Sequence, residues 1–289
     1  MMTLPEHVRK ALSIAESHGL VTDRASAFEA LRPLGLEDFG LVLWNMPMTD
    51  YPTLSKFLPA MSSDTVTMHW TGSSGVDLLQ QSVPFVRSCA ENYADICGDT
   101  LRGKAILDFG CGYGRFLRLF SYFTNAIAGV DAWNQSLEQS RNSGFADIVH
   151  KSDAVPASLP LTDQFDFCFA FSVFTHLNKH AALASLRALR KSVRNNGLLA
   201  ITIRPIEFWS VSQAGHLANR INEANSMSEL HRSNGFAFLP HTDCDSQSDY
   251  GDTSLTLQWL ENNIAGWNIV RVDRSLNDPL QLYVFLQAL

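Results

Sequence analysis

The stretch AILDFGCGYGR, residues 105–115, decides the fold class because an apolar segment runs directly into a glycine-rich turn. A short apolar run bounded by a turn predicts a buried strand. Gly110 can adopt the positive φ of a sharp turn, Gly112 lets a ligand approach the backbone, and Gly114 lets the next helix pack closely on the strand. The stretch therefore predicts a strand, a turn and a helix that hold a nucleotide-like ligand.

The order of the glycines separates two classes of ligand. Dinucleotide-binding folds carry G-x-G-x-x-G, which places a pyrophosphate at the helix N-terminus. Here the pattern is D-x-G-x-G-x-G from Asp108 to Gly114, and Arg115 stands where the third dinucleotide glycine would fall. This spacing disfavours a nicotinamide dinucleotide and an oxidoreductase. The motif resembles the first motif of the class I S-adenosylmethionine-dependent methyltransferases.

Composition excludes several classes of function. The chain has 289 residues, 46% of them hydrophobic, which suits one large domain with additions. A net charge of −7 without a run of Lys or Arg disfavours a nucleic-acid partner. Five cysteines without a C-x-x-C pair predict reduced thiols. The longest apolar run, 165–174, is shorter than the roughly 20 residues of a membrane span. We expect a soluble, cytoplasmic protein with no export signal and no membrane partner.

From residue 104 onward, short apolar segments alternate with helical ones, which predicts a parallel α/β arrangement. Strands are predicted at 104–109, 126–131, 147–150, 165–171 and 198–204. Helices are predicted near 113–123, 133–142 and 178–194, the last one capped by Asn178. A helix at 255–263 precedes two segments, 268–274 and 280–286, that predict a closing hairpin. The resemblance implies that the final strand is antiparallel, in a mostly parallel, seven-stranded, Rossmann-like sheet with helices on both faces.

Two regions lie outside this core. Residues 1–100 are predicted to form an N-terminal helical extension and cap, with helices at 5–18, 24–32 and 76–97. Between the last two, Pro47, Pro52 and Pro59 predict a passage that breaks helical continuity. Residues 101–289 are predicted to form the methyltransferase core, interrupted by an insert at 205–253 after the fifth strand. The phrase WTGSSG at 70–75 resembles the segment before the core in bacterial small-molecule and glycan-associated methyltransferases. We expect both regions to shape the substrate site.

The resemblance implies S-adenosylmethionine as the cofactor. The turn would bind the methionine end through its backbone, and Asp108 would orient the turn or meet the ammonium group through water. Asp131 ends the second strand, and its two oxygen atoms suit the two ribose hydroxyls, although an Asp there can equally cap a helix. Trp133 either covers the adenine or packs at a helix start. The other residues assigned to the cofactor are Trp70, Thr71, Gly110, Cys111, Gly112, Gly114, Ala132, Asp153, Ala154, Phe171 and Ser172.

The cofactor residues outside the glycine-rich turn and the second strand are assigned from their positions in the chain. Asp153 and Ala154 follow the third strand, where the family places an acid for the adenine amino group, but Asp is also common in solvated loops. Phe171 and Ser172 follow the fourth strand and would line the floor near the sulfonium. Trp70 and Thr71 would close the methionine end.

Methyl transfer needs alignment and, for hydroxyl acceptors, a base. His176 is the candidate base, although it can equally tie its loop to the core by hydrogen bonds. Arg204 can pair with an acidic substrate group or with a nearby Asp. His216 and His241 are lesser candidates for contacts with the acceptor.

Two further patterns are disfavoured. The segment 172–175 lacks the two prolines that amino-directed nucleic-acid methyltransferases carry after the fourth strand, and no Pro-Cys nucleophile occurs. A calcium loop beginning at Asp243 would place Ser248 at its sixth position and Ser254 at its twelfth, so we expect a polar loop there and no metal.

The sequence thus predicts an S-adenosylmethionine-dependent methyltransferase that acts on a small molecule or sugar, most simply at oxygen. A noncatalytic S-adenosylmethionine-binding module that serves as a scaffold or regulator is the alternative.

Overall fold

The computed structural model describes residues 3–17, 19–162, 164–241 and 249–289. These residues divide into two compact units. The first unit comprises the chain up to Ala90 together with Thr100–Lys151, and the second comprises Glu91–Asp99 with Ser152–Leu289.

The first unit contains three parallel strands, β1 (Ile106–Phe109), β2 (Ile127–Asp131) and β3 (Val149–Lys151). Asp108 lies beside Gly129, and Gly129 lies beside Val149. The helices are α1 (Glu6–Ser17), α2 (Arg24–Leu31), α3 (Leu36–Trp44), α4 (Pro52–Phe57), α5 (Asp64–Thr71), α6 (Gly75–Cys97, which runs on into the second unit), α7 (Arg115–Phe120) and α8 (Asn134–Ser140), the last continued by a π-helical turn at Arg141–Phe145.

The second unit contains six strands and four helices. Its strands are β4 (Phe165–Ala170), β5 (Val193–Ile203), β6 (Phe236–Pro240), β7 (Gly251–Leu255), β8 (Trp267–Arg274) and β9 (Leu282–Ala288). Its helices are α9 (Lys179–Ser192), α10 (Glu207–Ser212), α11 (Ile221–Asn234) and α12 (Leu257–Asn263). Strands β4 and β5 are parallel, whereas β9 runs antiparallel to both β5 and β8.

Seven of the strands form one sheet in the order β3-β2-β1-β4-β5-β9-β8. The predicted Rossmann-like, mostly parallel sheet is confirmed, and so is the closing hairpin made by β8 and β9. Asn178 caps α9 by accepting a hydrogen bond from the Ala181 N–H at 2.9 Å. None of the described helices combines the length and the apolar character of a membrane span.

The region before the core contains more helix than the sequence predicts. Helix α4 lies inside the passage whose prolines predict a break in helical structure, and α3 and α5, which the sequence does not predict, lie on either side of it. Pro52 does not break a helix there. It occupies the first position of α4, where a missing N–H costs nothing. These helices share a compact unit with β1–β3, while the functional boundary near residue 100 stays a prediction.

The insert at 205–253 has a hydrophobic core of its own. Phe208, Trp209, Leu217 and Leu239 are buried together there. The prediction of a polar loop through Ser254 is wrong at its end, because residues 251–255 form β7 and pair antiparallel with β6. The buried polar side chains of β7 are hydrogen-bonded: Ser254, for example, accepts from Trp209 and meets His231. Residues 242–248, with Asp243 and Ser248, lie outside the described residues.

Candidate functional site

The glycine-rich turn connects β1 to α7 and consists largely of left-handed backbone. Gly110, Gly112 and Gly114 have φ values of 80°, 56° and 81°. The N–H groups of Gly110 and Cys111 both donate to the Val130 carbonyl, at 2.8 and 3.1 Å, which ties the turn to the end of β2. Residues with a Cβ rarely adopt such φ values, so the alternation of glycines is a backbone requirement.

Arg118, on α7, contacts the carbonyls of the turn, and no motif in the sequence points to this residue. Its fully buried guanidinium donates to the carbonyls of Tyr113 at 2.9 Å and Gly114 at 2.7 Å, and also to the Ala60 carbonyl. Burial lowers the pKa of Arg118 to about 10, so the side chain still carries its charge at neutral pH. A buried arginine with this set of acceptors holds the shape of the turn.

Asp131 joins the turn to the start of α8. Its Oδ2 accepts from the Gly112 N–H at 2.9 Å, and its Oδ1 accepts from the Trp133 N–H at 2.8 Å. Each carboxylate oxygen has a second lone pair, so these bonds leave acceptor capacity for ligand hydroxyls. The N-cap residue of α8 is Trp133 and no side chain caps this helix, so Asp131 contacts the residue at the helix start without capping the helix, and the ribose role stays a prediction.

Asp108 is buried, and its Oδ2 has no hydrogen-bond partner among the described residues. Burial raises its pKa well above the ordinary range, and the negative charge of Asp131 raises it further. Two acids beside a turn of backbone N–H groups form a site that a positively charged or hydrogen-donating ligand would stabilise. The ammonium group and ribose hydroxyls of S-adenosylmethionine fit these requirements.

Two aromatic side chains predicted to contact the cofactor lie in the same unit. Trp70, near the end of α5, packs edge-on against Tyr113 with the ring centroids 5.8 Å apart, and its ring is the nearest group to the open face of Gly112. The Thr71 hydroxyl lies within hydrogen-bond distance of two backbone carbonyls, those of Thr67 and Ser73, to which it donates. Trp133 is 48% exposed, so it is not a core residue. Ala132, beside it, offers its carbonyl to Lys151.

The remaining cofactor assignments fall in the second unit. Asp153 and Ala154 are exposed in the segment after β3. Phe171 and Ser172 directly follow β4, and Ser172 has a φ of 58°, which is unusual for a residue with a side chain. Its N–H donates to the Thr202 hydroxyl at 2.7 Å, so hydrogen bonding compensates for the strained backbone.

Within the second unit, the four residues predicted to contact the acceptor or serve as base converge on one carboxylate. Asp252, on β7, is buried, and its Oδ1 accepts from Arg204 Nη1 at 2.6 Å. Its Oδ2 lies 2.9 Å from His216 Nε2 and 3.6 Å from His241 Nε2. His176 Nδ1 lies 3.9 Å from Oδ1. The nearby acid that the sequence offered as a partner for Arg204 is therefore Asp252, which sequence reasoning did not identify.

His176 uses both ring nitrogens inside the protein. Nδ1 donates to the Gly251 carbonyl at 2.7 Å, so Nε2 is the unprotonated nitrogen of the neutral ring, and Arg204 Nη2 lies 3.2 Å from it. The ring stacks on Tyr250 with the centroids 4.8 Å apart. Burial, together with the positive charge of Arg204, lowers the pKa of His176 to about 3. These contacts favour the loop-tying role over that of a base.

His176, His241 and Asp252 are also close enough to be considered as metal ligands, since one ligand atom from each lies within 4.8 Å of the others. A cation would have to displace the Gly251 carbonyl from Nδ1 of His176 and would lie beside the guanidinium of Arg204. This charge arrangement opposes a metal ion. The absence of a metal stays a prediction.

Residues 107–201 match a family model described as a methyltransferase domain. The match begins in β1 and includes the glycine-rich turn, Asp131 and β4. These residues are therefore a methyltransferase domain, and the sheet has the fold of class I methyltransferases. This methyltransferase is an enzyme that depends on S-adenosylmethionine. Among curated proteins, none matches the sequence.

Several solved structures are similar to the methyltransferase in fold. One is an S-adenosylmethionine-dependent methyltransferase from Clostridium acetobutylicum, 11% identical, covering 78% of this chain and 96% of its own, with a TM-score of 0.51. Another is magnesium protoporphyrin IX methyltransferase from Synechocystis, with bound S-adenosylhomocysteine. It is 13% identical, covering 77% of this chain and 97% of its own, with a TM-score of 0.48. An S-adenosylmethionine-dependent methyltransferase from Mesorhizobium loti is 15% identical, covering 69% of this chain and 99% of its own, with a TM-score of 0.46.

Replacing Gly114 by Ala should destabilise the methyltransferase by about 2 to 5 kcal/mol, because the new Cβ combines left-handed backbone strain with steric overlap. It would lie 2.8 Å from the Phe145 ring. Gly103→Ala is the matched control, since Gly103 has a φ of 71° and open space around it, and it should cost about 1 to 2 kcal/mol. Urea unfolding compares the two, and equal losses would contradict the packing role of Gly114.

The low pKa of His176 predicts a dependence of stability on pH. Between about 3 and 6.5 the unfolded chain binds a proton on this residue that the folded chain does not. The free energy of unfolding should therefore fall as pH drops below about 6.5, with a contribution of up to about 1.4 kcal/mol per pH unit.

His176→Asn keeps an N–H donor near the Gly251 carbonyl but cannot titrate. Urea unfolding at pH 7, 6 and 5 should show a smaller loss of stability in this variant than in the wild type. Circular dichroism at pH 7 checks that both proteins are folded. Identical losses on acidification would show that His176 does not control this part of the profile.

Proposed function

We propose that this methyltransferase transfers a methyl group to an oxygen atom of a small molecule or sugar. The observation that carries the proposal is the convergence of Arg204, His176, His216 and His241 on Asp252. A hydroxyl acceptor must lose a proton during transfer, and this cluster supplies imidazole groups held by a buried carboxylate. The negative net charge and the lack of a basic run support a small acceptor over a nucleic acid.

S-adenosylmethionine supplies an electrophilic methyl carbon attached to a positively charged sulfur. The glycine-rich turn and Asp108 would bind its methionine end, and Asp131 would accept hydrogen bonds from its ribose hydroxyls. Trp70 and Trp133 would cover apolar parts of the cofactor. In the second unit, Asp153 and Ala154 are the proposed adenine contacts, and Phe171 and Ser172 the proposed contacts near the sulfonium.

The ribose assignment predicts that Asp131→Ala weakens binding of S-adenosylhomocysteine by about 10- to 150-fold, because charge-assisted hydrogen bonds are lost. Isothermal titration calorimetry measures the affinity. Asp131→Asn separates charge from shape, since it retains one carbonyl acceptor and should show a smaller loss. Asp147→Ala is the matched control, an exposed acid in the same unit that pairs with Arg24, and it should bind normally. A folded Asp131→Ala protein with unchanged affinity would refute the assignment.

An acceptor panel tests the rest of the proposal. Catechol, 4-hydroxybenzoate, D-glucose and benzylamine are incubated with S-adenosylmethionine, and release of S-adenosylhomocysteine is measured against a reaction without acceptor. We expect turnover with a hydroxyl acceptor and none with the amine. Methylation of benzylamine alone would contradict transfer to oxygen. Tight cofactor binding without turnover on any member would instead favour a noncatalytic binding module.

A further inference from the structure

We propose that His216, oriented by Asp252, is the group that takes the proton from the acceptor hydroxyl during methyl transfer. The inference rests on the proposed function. It moves the role of base from His176, the most conspicuous histidine of the sequence, to a histidine of the insert.

Asp252 is a carboxylate anion. Burial acts to raise its pKa, but the charge of Arg204 and the hydrogen bond from His216 outweigh burial and keep the pKa below its ordinary value. Arg204 Nη1 contacts Oδ1 at 2.6 Å, so the anion is paired on one side. The other oxygen, Oδ2, faces His216.

The contact with Asp252 determines the tautomer of His216. An ionised carboxylate only accepts hydrogen bonds, so the 2.9 Å contact between Nε2 and Oδ2 places the proton of neutral His216 on Nε2. Nδ1 is then the basic nitrogen. The side chain is 54% exposed, which gives a small molecule access to the ring. A carboxylate that holds one imidazole nitrogen also stabilises the cation formed when the other nitrogen takes a proton.

Three other histidines of the second unit have surroundings that suit a base less well. His176 has both nitrogens engaged and is largely buried. His231 is buried and lies against the hydroxyl of Ser254. His241 Nε2 is 3.6 Å from Asp252 Oδ2, beyond hydrogen-bond distance, so Asp252 does not hold its ring by a hydrogen bond. Of the histidines within 4 Å of Asp252, His216 alone combines a carboxylate hydrogen bond with a side chain that is more than half exposed.

Methyl transfer and proton transfer involve separate atoms of the acceptor hydroxyl. The acceptor oxygen forms a bond to the methyl carbon while the bond from that carbon to sulfur breaks, and the sulfur keeps the electron pair as S-adenosylhomocysteine is released. The hydroxyl proton passes to Nδ1 of His216, and the Asp252 carboxylate stabilises the resulting imidazolium. Solvent then removes the proton, because His216 is exposed.

The tautomer is tested without any acceptor. Protein labelled with ¹⁵N-histidine is studied at pH 8 with S-adenosylhomocysteine and EDTA, and His216→Gln identifies the His216 signals by their loss. Long-range ¹H–¹⁵N correlations should show a single form with the proton on Nε2. A proton on Nδ1, or a mixture such as free imidazole shows, would overturn the proposal.

The catalytic role is tested on whichever panel hydroxyl the wild type methylates fastest. His216→Ala should lower kcat by about 10²- to 10⁴-fold, the usual contribution of a general base. Added imidazole should restore part of the rate, since the exposed position leaves room for it. His180→Ala is the matched control, an exposed histidine at the start of α9, and should keep the wild-type rate with no effect of imidazole.

The outcomes separate the two proposals. His216→Ala must bind S-adenosylhomocysteine and melt like the wild type for its rate to count; if it melts earlier, His216→Gln is used in its place. An active wild type with an equally active His216 variant would overturn the base assignment and leave the proposed function intact. A wild type that binds S-adenosylhomocysteine but methylates no panel member would contradict the proposed function. The ¹H–¹⁵N correlations would then decide separately whether Asp252 holds His216 with its proton on Nε2.

Discussion

The positive φ of three glycines within five residues is the constraint on which the first unit depends. At 110, 112 and 114 the backbone takes values that side chains oppose, and it is kept there by hydrogen bonds from outside the turn. Asp131 binds the turn from the end of β2, and Arg118 binds its carbonyls from α7. The turn therefore exposes backbone groups in a shape that exists before any ligand arrives, which reduces the entropy lost on binding.

A buried ion pair organises the second unit in a comparable way. Arg204 ends up against Asp252 because β7 aligns with the segment after β4, where the N–H groups of Gly251 and Thr253 donate to the carbonyls of His176 and Thr175. Removing one partner of a buried ion pair destabilises the fold, because the other partner is left as an uncompensated buried charge. The ion pair brings the histidines around one carboxylate and leaves them in different surroundings, because His176 is largely buried and His216 is more than half exposed.

The sequence predicted what depends on continuous local patterns. The apolar runs placed β1, β2 and β4 to within two residues, and Asn178 marked the start of α9. Short helices such as α4 escaped because Pro52 was interpreted as a breaker when it begins the helix. Asp252 and Arg118 escaped for another reason: their partners are distant in sequence or are backbone carbonyls, and neither leaves a periodic trace. The sequence could thus suggest a role for each site residue, and those roles stay predictions. How the residues are arranged around Asp252 required the three-dimensional structure.

The hydrogen bond from Arg118 to the Ala60 carbonyl has a consequence for how this fold can be divided. A guanidinium inside the protein demands acceptors, and one of them belongs to the chain before α5. A chimaera that joined the glycine-rich turn of this protein to the leading helices of another protein would lose the Ala60 carbonyl. The buried guanidinium of Arg118 would then lack one of its hydrogen-bond acceptors. The natural unit for domain exchange is therefore the leading helices together with β1–β3, even though the recognisable family signature begins only at residue 107.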